Sequence, residues 1–392
     1  MANFEFQLFV IKIAPPESRG RGLKSLPDDL FPLRFSSDSF QFFALGNNGY
    51  SIQSDENGVR FRVGSITLKG FELEWNEPTS RLHVHTDKYA LYPLMALPAS
   101  DGGLWLSNSS AYFSVLEPNY KLNPLAVNQL FARGALLPGQ FLIEGVQKVT
   151  DQWQWPNSKS GFVSPAWSSV QPHRPELAKT ISALRSSVNE ISATAKPQEL
   201  RMSGGADSRL ISLLVNQDQR NSLSVMIATA PWMSEENDLD FQVARRWCEK
   251  IGWKYNALKA SSSHSTYFQN VFDRTVLCGL YGGELLGGAG QTILPMPLQN
   301  PQLNFALSPE GTELVHESHR QILALNEFEQ QILQKQILLQ SDRSIIYGNL
   351  RTGWATPNAN LRVAMSPFAV TPFIDHVLTL EDSVTKNYAY YA

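Results

Sequence analysis

The chain has 392 residues, 43% hydrophobic and 18% charged, enough for two or three domains at about 100–200 residues each. That composition buries a core and excludes wholesale disorder, and two cysteines, Cys248 and Cys278, exclude a disulfide framework. A formal net charge of −3, from 33 Lys and Arg against 36 Asp and Glu, argues against broad nucleic-acid binding and offers no basic patch to a membrane. No apolar run reaches the ~18 residues of a membrane span. The opening Met1-Ala2-Asn3-Phe4-Glu5 lacks the basic region of a secretory signal. The expected location is the cytoplasm.

In chain order, residues 4–13 (FEFQLFVIKI) alternate, with Phe4, Phe6, Leu8 and Val10 on one face, and predict a strand. Similar runs at 60–68, 71–75, 82–86, 104–107 and 141–149 predict further strands, punctuated by turn residues such as Asn47-Asn48-Gly49 and Asp101-Gly102-Gly103. Only 123–133, with Leu125, Val127, Leu130 and Phe131, has a helical look. Residues 1–155 thus read as a mostly β domain. The Ser-, Pro- and Trp-rich stretch 156–174 reads as a linker, and 175–392 as a second domain.

There the period changes. Leu177, Ile181, Leu184, Val188 and Ile191 share one helical face over 175–192. Short strands then alternate with helices: ELRM before Ser203, a helix with Leu210, Leu213 and Leu214, and SLSVMIATA at 222–230. A helix with Phe241, Ala244, Cys248 and Ile251 on one face follows, then TVLCGL at 275–280. This alternation predicts a parallel sheet with helices on both faces. Residues 310–345 look helical.

The segment Arg201-Met202-Ser203-Gly204-Gly205-Ala206-Asp207-Ser208-Arg209 lies between a strand and a helix. Two glycines allow a tight turn and close approach of a ligand, and the amides at a helix start favour phosphate. Ser203 and Ser208 add hydroxyls and Arg209 a cation. Asp207 would repel phosphate alone, which points to a bridging Mg²⁺. No Gly-x-x-x-x-Gly-Lys-Ser/Thr occurs. Ser-Gly-Gly alone would favour a simple capped helix start; with Asp-Ser at this offset, the phosphate reading is preferred.

At these residues the sequence resembles the asparagine synthetase family, whose SGGxDS loop binds the pyrophosphate of ATP. Leu277-Cys278-Gly279 through Glu284-Leu285-Leu286-Gly287-Gly288 looks like its second glycine loop, of form SGEGADELFGG, and Thr371-Pro372-Phe373-Ile374-Asp375 resembles its PFLD motif. Asp87-Lys88-Tyr89-Ala90-Leu91-Tyr92-Pro93-Leu94, Leu104-Trp105-Leu106-Ser107 and Leu136-Leu137-Pro138-Gly139 resemble parts of its glutaminase-like domain. The resemblance spans roughly 60–380. It implies an α+β N-terminal Ntn-type β-sandwich domain, followed by an α/β ATP-pyrophosphatase synthetase domain.

The departures from the family narrow the reading. Glutamine-using members carry Cys immediately after Met1; Ala2 stands here, and a methyl group cannot attack an amide. No glutaminase activity is expected. Members without this cysteine include β-lactam synthetases and lasso peptide cyclases, and the Leu-Cys-Gly opening of the second loop is more like the latter. Gly283 falls where the family has the Asp of its Asp-Glu metal pair, and Leu280 where it has an earlier Glu. The resemblance leaves Glu284 as a metal ligand beside Asp207 and as a catalytic candidate. Among the seventeen residues after Asp375, Lys386 is the only lysine. It is the candidate for stabilising a later tetrahedral intermediate, closer to the motif than the family pattern places it. A truncated chain and a degenerate member are the two explanations.

Other features read more plainly. Glu235, Glu236, Asp238 and Asp240 either resemble the family's acidic stretch near the nucleotide or sit at a helix N-terminus, where acids favour the dipole. His83 and His85 share an ordinary strand face. His316 and His319 have the wrong spacing for His-Glu-x-x-His. Trp232, Trp247 and Trp253 are expected to pack. The expected reaction is ATP-dependent amide formation through an acyl-adenylate, with Ser203, Gly204, Gly205, Asp207, Ser208 and Arg209 holding ATP or pyrophosphate and Asp207 and Glu284 holding Mg²⁺. Macrolactam closure of a precursor peptide is the most specific form, with a leader protease and a precursor-binding protein as partners. The alternatives are ligation of a small amino-acid-like substrate and a catalytically weak nucleotide-binding protein acting through a partner. Neither nucleic acid nor membrane is an expected partner.

Overall fold

Alternation of apolar side chains builds two antiparallel sheets in the first part of the chain. The computed structural model describes residues 8–14, 33–45, 50–65, 69–87, 92, 94–108, 110–117, 119–133, 141–151, 153–156, 176–194, 197–229, 232–259, 276–279, 308–323 and 364–378. One sheet joins β1 (Leu8–Ile13), β2 (Leu33–Ser36), β3 (Phe40–Leu45), β8 (Met95–Pro98), β9 (Leu104–Ser107) and β10 (Gln147–Lys148) in the order β10-β8-β9-β1-β3-β2. The other joins β4 (Tyr50–Asp55), β5 (Gly58–Ser65), β6 (Lys69–Asn76), β7 (Arg81–Thr86) and β11 (Trp153–Trp155) in the order β11-β7-β6-β5-β4.

Aromatic rings hold the two sheets face to face. Phe9 of β1 lies 6.1 Å from Phe61 and 5.7 Å from Phe71, and Phe42 of β3 lies 4.6 Å from Phe61. The opposite face of the first sheet is also covered: Val10, Phe43 and Trp105 pack with Phe113, Phe141 and Ile143. A strand buried on both faces cannot be oriented by alternation alone. The 141–149 run is a strand only at Gln147–Lys148; otherwise it is loop backbone, with an isolated bridge from Ile143 to Leu122. Helices α1 (Phe113–Leu116) and α2 (Pro124–Arg133) complete this part of the chain.

Chain contacts divide the protein into two units. The described residues up to Pro156 fall in the first. So does α7 (Pro309–Leu323), which packs on α2 so closely that a β-carbon on Gly311 would stand 2.3 Å from Asn128 Oδ1. The second unit holds residues 176–279 and 364–378. Its helices are α3 (Leu177–Thr194), α4 (Ala206–Leu214), α5 (Gln217–Ser222), α6 (Leu239–Ile251) and α8 (Thr371–Leu378). Its sheet is parallel throughout, joining β12 (Glu199–Met202), β13 (Ser224–Thr229), β14 (Tyr255–Lys259), β15 (Val276–Leu277) and β16 (Ala364–Met365) in the order β14-β13-β12-β15-β16.

That order places a topological switch between β12 and β15. From β12 the chain winds outward to β13 and β14, then returns to the other side of β12. In open α/β sheets the loops at the carboxyl ends of the two switch strands part and leave a crevice for ligands. On the expected apolar faces Leu184, Val188 and Ile191 of α3 and Phe241, Ala244 and Cys248 of α6 are buried, whereas Leu177, at the start of α3, is 56% exposed. Asp238 caps α6 by accepting from Phe241 N at 3.1 Å, and Gly252 ends it in the left-handed region at φ 73°, where a side chain would be strained. Among the described residues no helix is long and apolar enough to cross a membrane.

Burial on α6, with a smaller contribution from the charge of Glu249, pushes the Cys248 thiol up to about 11. The unfolded chain ionises this thiol near 9, so it holds fewer protons than the folded protein above that pH. Stability is therefore fully present below pH 9 and falls as pH rises toward 11. The loss expected at pH 10 is about 1.4 kcal/mol, and Cys248→Ala should flatten that part of the profile. Denaturant melts of both proteins from pH 7 to 10 measure it; parallel profiles would refute the assignment.

Candidate functional site

The loop after β12 lies at the switch and is built almost entirely from its own hydrogen bonds. Ser203 N donates to Ser208 Oγ at 3.1 Å, and Gly205 N donates to Ser203 Oγ at 3.2 Å. Ser208 Oγ lies 3.0 Å from Ser203 O and 3.3 Å from Gly205 O, the carbonyls to which its proton can go. With Ser208 only 3% exposed, its hydroxyl holds the turn closed. Gly205 precedes α4 in extended backbone, and no side chain caps the helix start. The first-turn amides of a helix point outward from such an end.

Two contacts from other elements set the loop's position. Gly204 N donates to Asp240 Oδ1 at 3.0 Å, and a β-carbon on Gly204 would stand 2.8 Å from both Asp240 O and Asp240 Oδ1. Two residues beyond the end of β15, Gly279 lies against the loop: a β-carbon there would stand 2.8 Å from Ser208 N and 2.9 Å from Asp207 Cβ. The opening of the second glycine segment is thus brought onto Asp207 and Ser208. Gly205 is less constrained, with Ser203 Oγ at 3.1 Å as its nearest neighbour.

Arg209 follows Gly205 by four residues, and helical side chains lean toward the N-terminus. Its Nε donates to Gly205 O at 3.3 Å, and its guanidinium lies 5.6 Å from the centre of the Trp247 ring. Trp247 Nε1 donates to Ser212 Oγ at 3.0 Å, which ties α6 to α4 behind the loop. The acidic stretch divides by position: Asp238 is a buried helix cap, while Asp240 reaches the loop. Glu236 has its carboxyl held below the usual range by its own backbone amide and by Ser234. Asp240 was legible only as one acid among four; its contact with Gly204 has no signal in local spacing.

Other motif residues are placed as follows. Phe373 and Ile374 of the PFLD-like segment are fully buried in α8, with Phe373 5.3 Å from Phe368. Thr180 Oγ1 and His376 Nε2, 2.6 Å apart, link α3 to α8. The expectation that Trp232 packs is corrected: it is 75% exposed in the turn before α6, whereas Trp253 lies 5.3 Å from the Arg220 guanidinium. His85 faces Asp151 at 3.5 Å, in keeping with an ordinary strand face. Leu280, Gly283, Glu284 and Lys386 lie outside the described residues, as does Ala2. Among the described residues no group of three or more His, Cys, Asp or Glu side chains forms a metal cage.

No family model and no curated protein matches the chain. Among solved structures, it is similar to an NH3-dependent NAD synthetase from Campylobacter jejuni subsp. jejuni NCTC 11168 in complex with the nitrate ion, at 14% identity and a TM-score of 0.25, over 42% of this chain and 93% of that one. It is similar also to an NAD+ synthetase from Burkholderia pseudomallei, at 13% identity and a TM-score of 0.18, over 69% and 95%. The mixed α/β class rests on the sheet orders themselves.

The two glycines that touch other elements should tolerate a methyl group least. Gly279→Ala is expected to cost about 1–3 kcal/mol, because the added carbon meets backbone rather than a mobile side chain. Gly205→Ala, at φ −66° and beside one hydroxyl, should cost under about 0.5 kcal/mol. Chemical denaturation of the two variants ranks them; equal losses would mean that the β15 contact does not constrain the loop.

Proposed function

We propose that the protein is an ATP-dependent, AMP-forming amide ligase. One observation carries this reading: the Ser203–Arg209 loop lies at the carboxyl end of β12 beside the sheet's switch point, with Gly279, two residues beyond the end of β15, packed on it. Backbone amides at a helix start, next to glycines that keep side chains out, suit the phosphates of a nucleotide. The resemblance to asparagine synthetase motifs supports the same assignment.

In this reading Ser203, Gly204, Gly205 and the first-turn amides of α4 bind pyrophosphate, Ser208 holds the turn that presents them, and Arg209 adds positive charge at its edge. Mg²⁺ takes few protein carboxylates beside phosphate oxygens and water, so Asp207 without a three-residue cage fits it, with Glu284 as the second proposed ligand. Bound there, the ion would neutralise phosphate charge. A substrate carboxylate attacks the α-phosphorus, pyrophosphate leaves into the loop, and a substrate amine then displaces AMP from the acyl-adenylate to form the amide. Stabilising the departing pyrophosphate is work for fixed donors in a preorganised loop. Lys386 is the proposed stabiliser of the tetrahedral intermediate. The narrower proposal is macrolactam closure of a ribosomal peptide in the cytoplasm, supported by the resemblance of Leu277-Cys278-Gly279 to the second loop of lasso peptide cyclases. A leader protease and a precursor-binding protein would supply that substrate.

Chromatography of nucleotides after incubation with ATP and acid–amine substrates tests the reaction type. AMP and pyrophosphate in equal amounts are expected, and ADP would exclude the mechanism. Asp207→Ala should lower AMP formation by about 10²-fold or more, with the fold intact by circular dichroism.

A further inference from the structure

An anion-binding loop gains its affinity from amides that have no better partner. In this protein one of those amides already faces an internal carboxylate. Gly204 N donates to Asp240 Oδ1 at 3.0 Å, and the approach is so close that the glycine admits no β-carbon. Asp240 stands in the first turn of α6 and is exposed, so its side chain is free of the packing that fixes Asp238 beside it. Gly204 lies in the loop that leads into α4, and α4 is braced to α6 independently through Trp247 Nε1 and Ser212 Oγ, so the contact can open without parting the two helices.

We propose that the Asp240 carboxylate is a built-in competitor for the loop, occupying the Gly204 amide until a phosphate oxygen takes its place. This rests on the phosphate reading of the loop and assigns Asp240 as a positioning residue for that site. A carboxylate and a phosphate oxygen cannot both hold one amide hydrogen, and their charges repel at contact range. Asp240 therefore lowers affinity for a bare phosphate group and keeps the turn ordered when none is bound. An exposed acid in the first turn would otherwise serve only the helix dipole. Its reach to a glycine 36 residues earlier is what that bland role leaves unexplained.

The test compares the full chain with Asp240→Asn, which keeps an acceptor oxygen without the charge, and Asp240→Ala, which removes both. Pyrophosphate is titrated by calorimetry without divalent metal. Gly204 is followed by labelling serine carbonyl carbon and glycine nitrogen, which marks only the pairs Ser160–Gly161 and Ser203–Gly204 in this sequence. Both variants should bind pyrophosphate about tenfold more tightly than the native chain. The Gly204 signal should move on Asp240→Ala and again when pyrophosphate is added to the native protein. Equal affinity in all three proteins, with the phosphate reading otherwise intact, overturns the competitor. Absence of binding in all three overturns it together with the phosphate reading. A Gly204 signal that ignores pyrophosphate in a protein that binds it also overturns the proposal, since the anion would then sit elsewhere. If Asp240→Ala does not fold, the Asp240→Asn titration decides.

Discussion

The second unit depends on one close approach. At the switch point the carboxyl ends of β12 and β15 lie side by side, and Gly279 rests on the backbone of Asp207 and Ser208 with no room for a methyl group. Everything else about the candidate site follows from that contact. It presses the loop from one side while Asp240 and Gly204 close it from the other, so the turn is held by backbone and short polar side chains. Such a loop consists mainly of backbone amides and carbonyls, which are rigid and carry partial charge without cost in side-chain ordering.

The division of labour among the motif residues is a consequence. Ser208 is buried and its hydroxyl faces the loop's own carbonyls, so it acts as a clasp. Arg209 lies back along α4, between the Gly205 carbonyl and the Trp247 ring. Asp207 stands at the first turn of α4 beside Gly279, where an acid is favoured by the helix dipole and a cation would be favoured by the acid. The first unit has a different logic. Its sheets are joined by the rings of Phe9, Phe42, Phe61 and Phe71, and its core needs no contribution from the loop chemistry.

What was readable in the sequence was what has a short period or a local signature. The helices around Leu184 and Phe241 declared themselves by apolar spacing, and the strand before Ser203 by its place just ahead of a glycine turn. Tyr50–Asp55 escaped because it carries mostly polar, exposed residues, and Leu33–Ser36 because it is short and, among the described residues, pairs only with β3. Helix α5 escaped despite a capping box, with Gln219 N on Asn216 Oδ1 at 2.9 Å and Asn216 N on Gln219 Oε1 at 3.1 Å. Its six polar residues have no apolar face, so only the cap could have revealed it. Trp232 misled in the opposite sense: aromatic residues usually pack, and this one stands in solvent.

By itself the sequence determined the strand–helix pairs β12–α4 and β13–α6 and the chemical content of the Ser203–Arg209 loop. Both are encoded in residues near one another in the chain, where hydrophobic period and backbone freedom act directly. The tertiary structure alone decided the strand order β14-β13-β12-β15-β16, the seating of Gly279 on Asp207, and the choice of Asp240 among four acids as the one that reaches Gly204. These are contacts between segments 25 or more residues apart. Pairing of parallel strands is selected by burial on both faces of the sheet and by right-handed crossovers, and neither leaves a mark at any single position.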